Sequence, residues 1–307
     1  MKLRRLQRRL AFYGLRSLAH LAAQGGPSRL KDWGMRLGSA DYWLRPRLRQ
    51  NLSSQLQTLA TSHASRALSS DPQGILKSAY QVNDRALLEI IAMYASKRPP
   101  KHLLPDITVQ RSGVLDACLE ENSGVVMLGM HMGNGVALAS HLNRSHGPIH
   151  VVYRESNKVP PGFFKHGIER LGLTAINASG PGAGFRDMLK ALKSGHIVFI
   201  LMDQGSKRSG IAVEFLGKQM QMPQGPVELA RRTGAPIVPV LLTGVNTAWA
   251  FEICDPIHLP AKEPIENQVS QISRLMAEHV LSHPQWWSWH QRRWRKLPFQ
   301  SMMTGVP

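Results

Sequence analysis

Cysteine is nearly absent: the 307 residues include Cys118 and Cys254 and no others. That excludes a disulfide scaffold and fits a reducing compartment, and neither thiol has a metal-site partner nearby in sequence. Long apolar runs are also missing. No stretch reaches the ~18 apolar residues that a membrane-spanning helix needs. The nearest, Ala11 to Ala23, is interrupted by Arg16 and His20. The opening MKLRRLQRRL has the charge of a secretory n-region, but the stretch after it is too polar for an h-region and offers no clean cleavage site. No G-x-S-x-G elbow, H-E-x-x-H or Cys/His cluster occurs, so neither a serine elbow nor a zinc site is expected. Acids are scarce, 20 against 38 Lys and Arg, a net charge of +18 that calls for an acidic partner.

What is present is an ordinary folding composition, 43% apolar and 19% charged, long enough for one large α/β domain or two small ones. The charge sits at the ends. Residues 1–50 carry net +10 and residues 281–300 net +4, leaving +4 for the 230 residues between. Tryptophans accompany it: Trp33 and Trp43 in the first block, Trp286, Trp287, Trp289 and Trp294 in the last. Basic residues mixed with indoles suit an anionic lipid surface; the competing reading is that the indoles are core and the charges solubilise the chain. Residues 1–24 read as a basic amphipathic helix, with Leu3, Leu6, Leu10 and Leu15 on one side, lying on a membrane rather than crossing it.

The pattern predicts helices over residues 25–106, broken at Arg98-Pro99-Pro100, then alternating strands and helices over 107–300 and a short tail, 301–307. Strands are expected at Val125–Met130, Ile149–Tyr153, Thr174–Asn177, Ile197–Met202, Ile211–Phe215, Ile237–Leu242 and Thr247–Ile253. Helices are expected between them, including one opened by Gly180-Pro181-Gly182 and one started by Pro223. The alternation implies an α/β fold: a mostly parallel twisted sheet flanked by helices, with an N-terminal helical region. Polar residues just past strand ends should then line the site.

Three such ends carry chemistry: His131, Arg154, and Asp203-Gln204. His131 lies in a glycine-bearing turn, Gly129-Met130-His131-Met132-Gly133-Asn134-Gly135, where an imidazole can act as a general base near neutral pH. The plainer alternative is a turn histidine satisfied by backbone. Arg154 has the geometry to bind a phosphate or a developing negative charge, or else to pair with Glu155 or Asp203. Asn134 serves the loop or the ligand, and Asp203-Gln204 is alternatively a turn cap. Gly133-x-Gly135 is part of a dinucleotide fingerprint without its third glycine, a weak sign of nucleotide binding. Met220 and Met222 fit either an acyl channel or the core.

Taken together, these blocks resemble the lysophospholipid acyltransferase superfamily, and most closely its lipid A biosynthesis (lauroyl/myristoyl) late-acyltransferase branch. The run Met127 to Asn134 resembles the first block of that branch, Val152-Tyr153-Arg154 the second and Leu201 to Gly205 the third. Val213 to Gly217, Met222 to Pro226 and Ala230 to Val240 resemble the fourth. His283 to Trp294 resembles the C-terminal signature, and Arg49-Gln50-Asn51-Leu52 has a counterpart. The resemblance covers most of the chain in order.

It implies an acyltransferase that moves an acyl group from a thioester, on acyl carrier protein or acyl-CoA, to a hydroxyl or amine of a membrane lipid. His131 would be the base; Asn134, Arg154, Asp203 and Gln204 would bind substrate. No metal, nucleotide or other cofactor is implied, because the thioester stores the driving force, and no nucleic acid is expected as partner. The expected location is peripheral, on the cytoplasmic face of the inner membrane, on anionic lipid. One departure stands out. The branch places an acid after the histidine and four intervening residues, where this chain has Val136. Either another carboxylate, Asp203 or Glu155, orients His131, or a backbone carbonyl does, or the fold is retained as a catalytically degenerate lipid-binding protein.

Overall fold

The computed structural model describes residues 2–62, 68, 71–121, 124–180, 182–206 and 210–299, with the side chains of 2–9 left aside. The expected tail 301–307, Pro181, and the side chains of Leu3 and Leu6 lie outside the described residues.

The N-terminal third is helical: α1 (Lys2–Ala23), α2 (Gly26–Leu44), α3 (Pro46–Ser62) and α4 (Pro72–Ala95). Helix α4 begins where the Asp71 carboxylate accepts from the Gly74 N–H at 2.8 Å, with Pro72 in the first turn. It ends just before the Arg98-Pro99-Pro100 break. Its Leu76, Tyr80, Leu88 and Met93 are buried, making it the central helix of this region. Helix α2 crosses it at Gly34 and Gly38. A Cβ at either position would come within 2.5 Å of the α4 backbone, so only glycine permits this approach.

The sheet follows in seven strands: β1 (Ile107–Gln110), β2 (Val125–Gly129), β3 (Ile149–Tyr153), β4 (Thr174–Asn177), β5 (Ile197–Leu201), β8 (Ile237–Gly244) and β9 (Trp249–Ile253). Their order is β1-β9-β8-β2-β5-β3-β4. All neighbours are parallel except β8 and β9, which form an antiparallel pair. The α/β fold with a mostly parallel sheet and N-terminal helices is therefore as expected. Strand β2 is buried throughout, as a strand covered by helices on both faces must be. The connecting helices are α5 (Gly113–Glu120), α6 (Gly135–Leu142), α7 (Phe163–Arg170), α8 (Phe185–Lys193) and α9 (Gly225–Thr233), with α10 (Ile265–Ser282) and the short α11 (Arg292–Arg295) closing the chain.

Several expectations are corrected. A strand missed in the sequence, β7 (Lys218–Met222), pairs with β6 (Ile211–Phe215) in a separate antiparallel hairpin. Its inward positions are Lys218, Met220 and Met222, and a buried lysine disguises the alternation. Met220 and Met222 are thus core, not channel. The helix expected from Gly180 starts at Phe185, after a turn. The C-terminal indoles are interior: Trp287, Trp289 and Trp294 are buried and meet edge to face at centroid separations of 4.8–5.7 Å. Pairing apolar ring with apolar ring removes more surface from water than an interface would, so the core reading holds for them. Trp43, by contrast, is exposed.

Helix α1 is also not a free amphipathic arm. Phe12, Ala19, Ala22 and Ala23 are buried, and Leu15 and Leu18 pack on the core. Leu10 and Leu15, expected on one side, are on different ones: Leu10 joins Tyr13 and Leu21 on an exposed apolar face. Among the described residues no helix is long and apolar enough to cross a membrane.

Candidate active site

The three strand ends singled out in the sequence belong to neighbouring strands, because β2, β5 and β3 are adjacent. Register does the rest. Gly129 of β2 pairs with Leu201 of β5, and the Met202 N–H still bonds to the Gly129 carbonyl. His131 and Asp203 each lie two residues beyond that pair, level with one another at the carboxyl edge of the sheet.

Their side chains meet. His131 Nδ1 lies 2.6 Å from Asp203 Oδ1, and the His131 backbone N–H donates to Oδ2 at 3.0 Å. The Trp287 indole N–H donates to the same Oδ2 at 2.8 Å. Asp203 is buried, yet its carboxyl lies below the usual range. Burial pushes it up, and the His131 charge together with the hydrogen bonds from His131 and Trp287 more than offsets that. A carboxylate accepts, so Nδ1 donates, and Nε2 has no protein partner among the described residues.

The His131 ring is 31% exposed and faces a cavity of about 1130 Å³. The cavity lining includes apolar residues, among them Leu87, Ile90, Val136, Phe164, Ile168 and Met188. Val136, standing where the resemblance leads one to expect an acid, is part of this apolar lining. The lining also includes the basic residues Arg154, Lys158, Arg186, Arg232 and Arg293. Gln204 and the run Pro223–Pro226 complete the rim, where α9 begins. Neither Arg154 nor Arg293 forms an ion pair with any described residue, so the expected alternative of Arg154 bound to Glu155 or Asp203 is not realised. Burial lowers the Arg293 pKa, and the Arg154 charge lowers it further.

Two residues expected to touch substrate are buried and are not among the residues that line the cavity. Asp203 stands behind His131, and Asn134 is fully buried. The Asn134 carbonyl oxygen caps α6 by accepting from the Ala137 N–H at 3.0 Å, and its amide donates to Glu89 Oε2 at 2.9 Å. Glu89 also accepts from Trp249 Nε1 at 2.7 Å and from Arg85 Nε at 2.9 Å. The Arg85 guanidinium continues to the carbonyls of Val245 and Asn246 at 2.9 and 3.0 Å. This buried network ties the His131 loop to α4 and to the β8–β9 turn. In the same loop Gly133 has φ +69°, and a Cβ there would approach Leu242 to 2.9 Å.

Of the two carboxylates considered for orienting His131, Asp203 is the one bonded to it. Glu155 is exposed at the cavity rim, its backbone N–H bonded to Ser179. Sequence reasoning missed Trp287 and Arg293, which the C-terminal segment brings back across the sheet edge. Met132 forms an isolated antiparallel bridge with Trp287, and Ser288 Oγ lies 3.1 Å from the His131 carbonyl oxygen. The signal was the C-terminal block itself, whose indoles were assigned to a lipid surface.

The chain matches a family model described as bacterial lipid A biosynthesis acyltransferase over residues 45–296. Among curated proteins, it is similar to a phosphatidylinositol mannoside acyltransferase of Mycobacterium tuberculosis, 27% identical over 188 residues, which is 59% of this chain and 57% of that protein. A protein of the same name from Mycolicibacterium smegmatis is 23% identical over 186 residues, 58% of this chain and 59% of its own length. The chain therefore spans less than two thirds of the length of these relatives.

Proposed function

Because the chain belongs to the bacterial lipid A biosynthesis acyltransferase family, we propose that it transfers an acyl group from a thioester to a hydroxyl or amine of a membrane-lipid acceptor. The donor is acyl carrier protein or acyl-CoA, and the acceptor is of the lipid A or phosphatidylinositol mannoside type. The observation that carries this reading is the His131–Asp203 pair, whose imidazole lines a cavity with both apolar and basic residues in its lining.

In this reading His131 Nε2 removes the proton from the acceptor hydroxyl as its oxygen attacks the thioester carbonyl. Asp203 is a positioning residue: it fixes the ring and stabilises the imidazolium that forms, standing in for the acid missing at Val136. The tetrahedral oxyanion collapses, the C–S bond breaks, and the thiolate takes the proton back from Nε2. Arg154 and Arg293 supply positive charge for a phosphate or for the oxyanion. The acyl chain lies along Leu87, Val136 and Phe164. Gln204 contacts the substrates from the rim.

The protein works peripherally on anionic lipid at the cytoplasmic face of the inner membrane, through the exposed face of α1. Its basic ends hold it there and help dock an acidic carrier.

The test is transfer of labelled acyl groups from acyl carrier protein or CoA to extracted membrane lipid by the purified full-length chain. Wild type forms a labelled lipid, and His131→Ala does not. Equal labelling by the two, or none by wild type, removes the reading. For the surface, vesicle flotation with Leu10→Asp/Leu21→Asp is preferable to deleting residues 1–24, because the deletion would strip Phe12 and Ala22 from the core. Undiminished flotation of the double variant on anionic vesicles rules out the α1 face.

A further inference from the structure

One acidic residue of the cavity lining has no role in the acyl transfer described above. On α4, Asp84 is 9% exposed and lines the cavity that holds His131. It forms no hydrogen bond or ion pair with any described residue. Arg45, the neighbouring cation just past the end of α2, pairs with Asp41 instead, at 2.7 Å. Burying a carboxyl without partners is costly, and native proteins rarely retain one without a use. Its surroundings repeat the pattern. His290 lines the same cavity, and its buried Nδ1 has no partner. The Tyr80 ring packs on His290 at a centroid separation of 5.0 Å, and its hydroxyl is also buried without a partner.

The wall is nonetheless fixed in place. Asn83, next to Asp84, accepts from Ser288 Oγ, which lies 3.1 Å from the His131 carbonyl oxygen. Asp84 is thus held on a wall tied directly to the loop bearing the imidazole.

We infer that Asp84 is a specificity-determining subsite that hydrogen-bonds hydroxyl groups on the acceptor's head group, in the same cavity as the hydroxyl that His131 deprotonates. The inference rests on the transferase reading. Hydroxyls are favoured over an ammonium because the cavity also presents Arg154, Lys158, Arg186, Arg232 and Arg293, which repel a cation. A site built around unpaired polar groups discriminates strongly, since an analogue without the hydroxyl leaves them unsatisfied.

The titration of Asp84 gives a specific readout. Burial, reinforced by the Asp41 charge and opposed by Arg45, pushes its carboxyl up to about 7. The charges acting on it are Asp41 of α2 and Arg45, just past the end of that helix; the other titratable groups are Tyr80 of its own helix and, lining the same cavity, His131, His290 and Arg293. Hydroxyl donors favour the ionised carboxylate, so binding through Asp84 strengthens as pH rises through that value.

The experiment is calorimetric titration of the full-length protein with monomeric dioctanoyl phosphatidylinositol and dioctanoyl phosphatidylmethanol. Both are singly charged phosphodiesters with the same chains, and only the first carries head-group hydroxyls. Wild type binds the polyol lipid about tenfold more tightly, the scale of one buried polar group left unpaired. The preference grows from about pH 6 to about pH 8. Asp84→Leu binds the two lipids equally. Asp84→Asn, whose amide still hydrogen-bonds, keeps a preference that no longer varies with pH.

Equal binding of both lipids by wild type, as when only water occupies the wall, overturns the inference. So does a preference that persists in Asp84→Leu. Should Asp84→Leu fail to fold, an Asp84→Asn profile that still follows pH as wild type does overturns it as well. No acyl donor is present, so the transferase reading fails separately: a hydroxyl preference lost in Asp84→Leu, in a protein whose acyl transfer is indifferent to His131→Ala, retains the subsite and removes the enzyme.

Discussion

Two buried aspartates serve one cavity and titrate in opposite directions. At the sheet edge, Asp203 is 1% exposed and is saturated with donors from His131 and Trp287, which hold its carboxyl below the usual value. On the helical wall, Asp84 is 9% exposed, has no donor, and is pushed up to about 7. Burial acts on both in the same sense, so partners make the difference. A buried carboxylate that the fold has satisfied organises a neighbour. One that the fold has left unsatisfied is completed by something that arrives. The sheet edge is therefore finished machinery, and the helical wall is a receptor.

The largest effect that sharpens this contrast is on turnover. Asp203→Asn should lower kcat by about 10⁴ with little change in KM, because an amide at that position favours the wrong tautomer. Steady-state kinetics reads the split, and a kcat within about tenfold of wild type would break the contrast. Next is Glu89→Ala, which strands Arg85 and frees Asn134 and Trp249. Chemical denaturation should show a loss of about 3–5 kcal/mol. Trp287→Phe removes one donor from Asp203 and leaves the ring packing. A loss of kcat of about tenfold is expected, the scale of one hydrogen bond to a charged group.

Smaller in size, but opposite in sign, are the effects of pH on stability. The depressed Asp203 contributes stability above the ordinary carboxylate value of 3.8 and loses it as pH falls through its lower folded value. The raised Asp84 contributes below 3.8 and loses that contribution as pH rises through about 7. Melting temperatures should thus show Asp84→Asn gaining on wild type between about pH 4 and about pH 8, and Asp203→Asn losing ground over the acid limb as pH rises. Parallel curves for the two variants would remove the distinction. The smallest effect concerns Lys218, whose ammonium lies over the Trp294 ring at 3.7 Å and donates to Gln55 at 2.6 Å. Burial lowers its pKa to about 8, so relative to Lys218→Met the wild type should gain stability as pH rises from there towards 10.5.

Much of this was legible in the primary structure. Apolar runs such as Val125–Gly129 and Ile197–Leu201 declare themselves because a strand buried on both faces has no polar side to show. His131, Arg154 and Gln204 were found because polar residues ending such runs stand out. For Asn134 and Asp203 the sequence left a structural role and a ligand contact both open, since a cap and a ligand contact use the same amide and carboxyl chemistry. The tryptophan block misled for a related reason: an indole next to arginines suits a lipid surface and a buried donor equally well. Asp84 and His290 carried no local signal at all.

The amino-acid order alone marked every strand but β1 and β7, the mostly parallel sheet, and the residues that end its central strands, because periodicity and chain connection are local properties. It left open what replaces the acid absent at Val136. Tertiary structure decided that, by setting β5 beside β2 in a register that brings Asp203 level with His131 and by folding the C-terminal segment back to seat Trp287 on the same carboxylate. Register and long-range return are fixed by packing between segments far apart in the chain, and no window of sequence contains them.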